Sequence, residues 1–399
     1  MNEIIILTPG PFLKRDYDRF GIELFKNNFS VQILDFTAWL NPIFWKKCSA
    51  DVYNCQEYLI ISCKEDFLKF YSKINSVIVI DYLIRNKKTN WARQLFKKKQ
   101  SIFVRTDTNL QPPNPKIFLP YPVFGKSIIR KLKKIFKIII NPIKFFKKEY
   151  FQFIINKYDD LKLKYQPDIL VLGGSVNSKK LNAKNKIYAH HMDYDVYLNI
   201  KDQPNKSTGS YAVFLDSDIM RNPDFALLNQ DTIPMNEIQY YSLLTSFFKK
   251  FEKTTKLKIK FSSHPKSNKK IFSSLLKNTD YSCGNTAELV KNSKLVLLHQ
   301  STALSYAILF NKPAIFLTSN DLNNSIHGSS IYSFAKEIDG QIINLNSAFE
   351  KNLDLKKLLK IDELKYQNYK NNYLKFPNSP DIPIWEIFIN YIKNKEYDK

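Results

Sequence analysis

At 399 residues the chain is too long for one ordinary core, and 44% hydrophobic residues argue against wholesale disorder, so two packed domains are expected. A formal net charge of +24 calls for anionic partners: nucleic acid, a phosphorylated sugar or an anionic membrane face. No arginine-rich stretch, zinc-ligand spacing or aromatic RNA-binding signature accompanies that charge, which argues against nucleic acid.

The four cysteines (Cys48, Cys55, Cys63, Cys283) follow no disulfide or metal pattern, and a reducing cytoplasm fits them best. The opening MNEIIILTPGPF has too short an apolar run for a signal peptide, and no window reaches 18 clean apolar residues. A cytoplasmic protein is expected, soluble or peripheral at the inner face of the membrane.

In chain order, EIIIL (3–7) reads as a buried strand, DRFGIELFKNNF (18–29) as a helix and SVQILDFT (30–37) as a second strand. This is a β-loop-α-β opening of Rossmann type, although its loop lacks the GxGxxG dinucleotide fingerprint. SVIVID (76–81) and SIFVRTD (101–107) predict further strands with a helix, NWARQLFKKK, between them; PDILVLGG (167–174) and KIYAHHMDYD (186–195) predict two more. Such alternation argues a parallel, doubly wound sheet.

The stretch 125–151 interleaves lysine and arginine with isoleucine and phenylalanine, and Asn141-Pro142 breaks it in two. Basic amphipathic segments of this kind lie on anionic membranes; a pair of core-packing helices with solvated lysines is the alternative.

Residues 201–210, KDQPNKSTGS, form the best linker in the chain, and beyond them the pattern restarts. YAVFLD, LKIKFSSHP, KLVLLH and PAIFLT predict strands; NEIQYYSLLTSFFKKFEKTT, KKIFSSLLKN, NTAELVKNS and TALSYAILFN predict helices. Asn285 with Glu288 three residues on suggests a capping box. PIWEIFINYIKNK predicts a closing helix. The expected fold class is α/β: two Rossmann-like domains with a cleft between them. The first, acceptor-binding, spans 1–205 with the basic insert 125–151; the second, nucleotide-binding, spans 206–375; the closing helix occupies 376–399.

Two of the five histidines end strand-like runs and are followed at once by hydroxyl residues. His264 closes IKFSSHPKS, and His299 closes LVLLHQST, where Ser301 and Thr302 open a helix. Hydroxyls and free N–H groups at a helix start serve as a cap or as a phosphate site. If β-strands ending in His264 and His299 are neighbours, both loops reach one rim and hold one phosphate together.

A strand ending in His-Pro, followed by a Ser-Thr pair opening a helix, resembles the nucleotide domain of bacterial sialyltransferases, polysialyltransferases and related Kdo transferases. These are GT-B enzymes that use CMP-activated nonulosonic acids. The resemblance covers 211–318 well and the first half only in architecture; the restart is also similar to proteins met in bacterial surface-polysaccharide contexts. It implies that His264 is the general acid or electrostatic stabiliser of the donor phosphate, with Ser263, Pro265, His299, Ser301 and Thr302 around the nucleotide.

The family's (D/E)(D/E)G base motif is absent. Two pairs compete for that role, Asp193 with Asp195 and Asp16 with Asp18, and the first pair is favoured because it follows the last strand of the first domain. LDSD (215–218) is the nearest match to a metal-binding DxD and is read as a turn. His190-His191 lacks fitting carboxylate or cysteine ligands, so no metal and no resident cofactor are expected.

The resemblance implies an inverting, metal-independent transfer of a nonulosonic acid, such as sialic acid or Kdo, from a CMP-linked donor to lipopolysaccharide or capsule. Its partners would be the nucleotide-sugar donor, a glycan or glycolipid acceptor and an anionic membrane surface, not nucleic acid. A polyol-phosphate transferase of teichoic-acid type, a UDP-sugar epimerase of related fold and a non-catalytic GT-B-like assembly protein are the alternatives.

Overall fold

The computed structural model describes residues 2–49, 52–84, 87–113, 166–205, 210–220, 236–264, 280–348 and 354–397. The basic stretch 125–151, the predicted helix KKIFSSLLKN and Pro265 lie outside the described residues.

Two parallel sheets account for the two halves of the chain. The first has seven strands: β1 (Glu3–Thr8), β2 (Ser30–Asp35), β3 (Tyr58–Ile60), β4 (Ile78–Asp81), β5 (Ile102–Asp107), β6 (Ile169–Leu172) and β7 (Asn185–Tyr188), in the order β3-β2-β1-β4-β5-β6-β7. The second has six: β8 (Tyr211–Leu215), β9 (Lys258–Ser263), β10 (Asp280–Cys283), β11 (Leu295–Leu298), β12 (Ala314–Thr318) and β13 (Ile342–Asn344), in the order β10-β9-β8-β11-β12-β13. IVID of β4, YAVFL of β8 and LVLL of β11 are buried along their whole length, as strands covered by helices on both faces must be. The α/β class and the two Rossmann-like domains are therefore as expected.

Three local readings change. The predicted helix 18–29 is two, Lys14–Arg19 and Ile22–Lys26, because Gly21 adopts φ 59, a left-handed conformation that ends a helix. The predicted strand 186–195 stops at Tyr188; His191 caps a helix over Met192–Ile200 by accepting the Asp193 N–H on Nδ1 at 3.0 Å. Asn285 forms no capping box, since its Oδ1 accepts from the Ser282 hydroxyl at 2.6 Å instead.

The chain crosses back at its end. Helix Ile384–Tyr397 packs on the first sheet, with Trp385 and Phe388 in one core with Ile4, Phe25 and Ile33. Trp385 Nε1 donates to the Arg19 carbonyl at 2.9 Å. Leu110, from the loop beyond β5, and Tyr194, in the helix Met192–Ile200, belong to the core of the second domain, so the halves are welded as well as linked.

Candidate active site at the domain junction

Parallel strands deliver all their following loops to one rim, and ligands of open α/β sheets bind where strand order reverses. In the first sheet that point lies between β1 and β4, in the second between β8 and β11. The two rims face each other, because residues beyond the carboxyl end of β7 touch residues beyond the carboxyl end of β11.

Asp193 makes that contact. It is 2% exposed, and its carboxylate takes Arg19 Nη2 at 2.6 Å and Tyr306 OH at 3.1 Å on Oδ1, with Ser305 Oγ at 2.6 Å on Oδ2. Burial works to raise this carboxyl; His191 when protonated, the Arg19 guanidinium and the two hydroxyls outweigh it and hold it below its ordinary value. His191 Nδ1 is occupied as an acceptor, and burial lowers this imidazole, so its ring is neutral at pH 7 and Arg19 is the operative cation. His191 Nε2 donates to Asn109 Oδ1 at 2.9 Å, and Ser333 Oγ donates to the Pro113 carbonyl at 2.7 Å, extending the junction.

Asp195 lies two residues further along the same helix. It accepts the N–H of Ile384 at 2.9 Å and so anchors the start of the closing helix. Its carboxyl, about a fifth exposed, is pushed up to about 6 by burial, against the opposing influence of His190.

In the second domain His264 follows β9 and is half-buried on the rim, while Ser301 and Thr302 follow β11 and are half-buried there too. The strands are not neighbours, however: β8 lies between them. Two strand spacings, roughly 10 Å, separate the loops, so a shared ligand would lie across the end of β8. Ser263 is buried, its hydroxyl donating to the Ser282 carbonyl at 3.3 Å.

Two expectations of ligand contact do not survive. His299 is 0% exposed with both ring nitrogens engaged: Nδ1 donates to the Leu317 carbonyl at 2.6 Å and Nε2 accepts from Tyr240 OH at 2.8 Å. Burial lowers it to about 4, which makes it a neutral core histidine with no group to offer a phosphate. The helix start after Ser301-Thr302 is not an open anion site either. The N–H groups of Ala303, Leu304, Ser305 and Tyr306 are taken by Ser301 Oγ and by the carbonyls of Ser301, Thr302 and Ala303. Ser301 and Thr302 contribute as hydroxyl residues of the rim.

Several residues of the junction escaped the sequence reading. Arg19, Ser305 and Tyr306 are 174, 112 and 113 positions from Asp193, and no local pattern announces such a meeting. Asp216 and Asp218 were visible as LDSD; both are buried where the chain leaves β8, and the Asp218 N–H donates to Asp216 Oδ1 at 3.0 Å. Among the described residues no group of three or more His, Cys, Asp or Glu is placed to hold a metal ion.

No protein-family profile and no curated protein matches the chain. Among solved structures, the wall teichoic acid polymerase TagF matches over 100% of this chain and 90% of its own, at 12% identity and a TM-score of 0.52; a substituted form of TagF gives 11% and 0.53 over the same shares. A UDP-GlcNAc 2-epimerase of Methanocaldococcus jannaschii, in complex with UDP-GlcNAc and UDP, aligns over 99% of this chain and 100% of its own at 13% identity and a TM-score of 0.48. At these identities the likeness to TagF is one of fold. The chain has the two-domain GT-B architecture.

Proposed function

We propose that the protein is a metal-independent, inverting glycosyltransferase that binds a sugar nucleotide on the second domain and a surface glycan on the first. The observation that carries this reading is the meeting of the two carboxyl-end rims across Asp193, which sets both switch points on one junction. The TagF polymerase, whose fold the chain shares, makes transfer onto a growing surface polymer the natural chemistry to test first.

In this mechanism the acceptor oxygen bonds to the anomeric carbon of the donor as the bond to the nucleotide phosphate breaks, inverting that carbon. His264 stabilises the phosphate that leaves, by charge or by giving up a proton, and the hydroxyls of Ser301 and Thr302 hold it. Asp195 takes the acceptor proton. Asp193 is committed to Arg19, whereas Asp195 keeps a partly exposed carboxyl raised to about 6, close to the working range of a general base. A CMP-nonulosonate is the donor of choice, since it leaves as a phosphate monoester that needs no metal. The basic stretch 125–151 would bring the enzyme to a glycolipid acceptor on an anionic membrane; no described helix is long and apolar enough to cross one.

Thermal shift with CMP, UDP, CDP and GDP, without metal, tests the donor site. A pyrimidine nucleotide at 100 times its Kd should add about 2.7 kcal/mol, and His264→Ala should cost 10²–10⁴-fold in turnover with the fold intact. Silence from every nucleotide, with or without Mg²⁺, removes the reading. A shift with UDP alone moves it to a UDP-sugar enzyme.

A further inference from the structure

At the switch point of the second sheet, β8 ends in a buried acid. Asp216 is 5% exposed; its Oδ1 accepts the N–H of Asp218 at 3.0 Å, and its Oδ2, shielded from solvent, has no hydrogen-bond partner among the described residues. Leu215 pairs with Leu298, so the residues just beyond β8 and β11 emerge side by side. There Gln300 repeats the pattern. Its Nε2 meets His327 Nδ1 at 2.5 Å, while its Oε1 is buried without a partner among the described residues.

Buried polar atoms are almost always hydrogen-bonded, and an unmatched one is a standing cost to the fold. Two on adjacent strand ends, at the one place in a parallel sheet where ligands collect, need a common reason. The neighbouring groups do not supply one: His299 is saturated by Tyr240 and Leu317, as described above.

We propose that Asp216 Oδ2 and Gln300 Oε1 hydrogen-bond a pair of vicinal hydroxyls on a sugar, either the ribose of the nucleotide or the sugar it carries. The inference rests on the sugar-nucleotide reading and names the residues by which the second domain recognises its ligand. The chemistry of the pair is what selects a diol. Burial, with the charge of Asp218 adding to it, raises Asp216 to about 8, so at neutral pH Oδ2 bears a proton and donates. Gln300 Oε1 can only accept. One donor and one acceptor match two hydroxyls, each able to play either part, and match neither a phosphate nor a cation. The charged and titratable groups that bear on Asp216 are Asp218, beside it in the chain, and Tyr240, whose phenol feels the charge of both acids.

The test is calorimetric titration of wild type, Asp216→Ala, Asp216→Asn and Gln300→Ala with CMP, UDP, their 2′-deoxy forms and UDP-GlcNAc. Asp216→Ala should weaken the nucleotide or sugar nucleotide about tenfold or more, with an unliganded melting temperature equal to wild type or higher. Asp216→Asn should bind nearly as well as wild type at pH 7, because its amide N–H donates where the protonated acid did. If ribose is the diol, the 2′-deoxy forms bind wild type as weakly as the ribose forms bind Asp216→Ala; if the carried sugar is, only UDP-GlcNAc loses affinity in the variant.

Equal Kd values for wild type and Asp216→Ala with every probe overturn the inference while leaving the sugar-nucleotide reading intact. So does an Asp216→Asn variant as weak as Asp216→Ala. A wild type that binds no probe overturns both.

Discussion

Burial sets the state of the ionisable side chains around β8 and β11, and the signs oppose one another. Burial lowers His299 and His327 to about 4. In the unfolded chain both protonate near pH 6.5, so each withdraws stability as pH falls from about 6.5 towards 4, by up to about 1.4 kcal/mol per pH unit. Asp216 acts in reverse. Raised to about 8, it stabilises the folded state fully below the unfolded carboxyl value near 4, and that contribution is lost as pH rises through 8. Urea midpoints of wild type and Asp216→Asn, compared from pH 5 to 9, should therefore diverge, the wild type losing ground to the variant as pH rises. Parallel profiles would show that the Asp216 carboxyl titrates normally. Of the histidines singled out in the sequence, only His264 stands half-buried on the rim; His299 is neutral and enclosed because a strand-end residue faces core or rim according to what packs over it.

The break at Gly21 shows how one residue shapes two elements. A left-handed φ lets the chain turn between helices Lys14–Arg19 and Ile22–Lys26, and the missing side chain leaves room for Trp385 of the closing helix. A Cβ at Gly21 would lie 2.9 Å from Trp385 Cδ1. Gly21→Ala should cost about 2 kcal/mol or more, adding the left-handed penalty to the displaced ring. Equilibrium urea unfolding reads this directly; an unchanged midpoint would mean that the closing helix packs more loosely than its burial indicates. The apolar runs that became β1, β4, β8, β11 and β12 were legible because a strand buried on both faces needs an unbroken apolar stretch. The short β3, β10 and β13 carry weak patterns and exist through pairing with a neighbour already in place. The strand predicted to run on to 195 failed for a related reason: its apolar stretch continues into a helix, and only the cap at His191 marks the change.

Across the whole molecule, Asp193 holds the two domains in register. Its three donors come from both halves: Arg19 from the first, Ser305 and Tyr306 from the second. Asp193→Asn keeps the shape and leaves the Arg19 charge without its partner, which should destabilise by about 3 kcal/mol. Ser305→Ala removes one hydroxyl hydrogen bond and should cost about 1–2 kcal/mol. Denaturant unfolding of the pair gives the ranking; if the Asp193→Asn variant proves as stable as wild type, the domains are held by the apolar junction around Leu110 and Tyr194 and by contacts such as Ser333 to Pro113. Composition and the two runs of alternating strands and helices determined by themselves that this is a two-domain α/β protein, because burial on both sheet faces imposes a local apolar signature. Which strand ends meet was decided only in three dimensions. Strand order placed β8 between His264 and Ser301, the fold spent Asp193 on an ion pair 174 positions away, and the switch point brought Asp216 and Gln300 together. Sheet order and rim contacts depend on pairings distant in sequence, and no stretch of residues carries them alone.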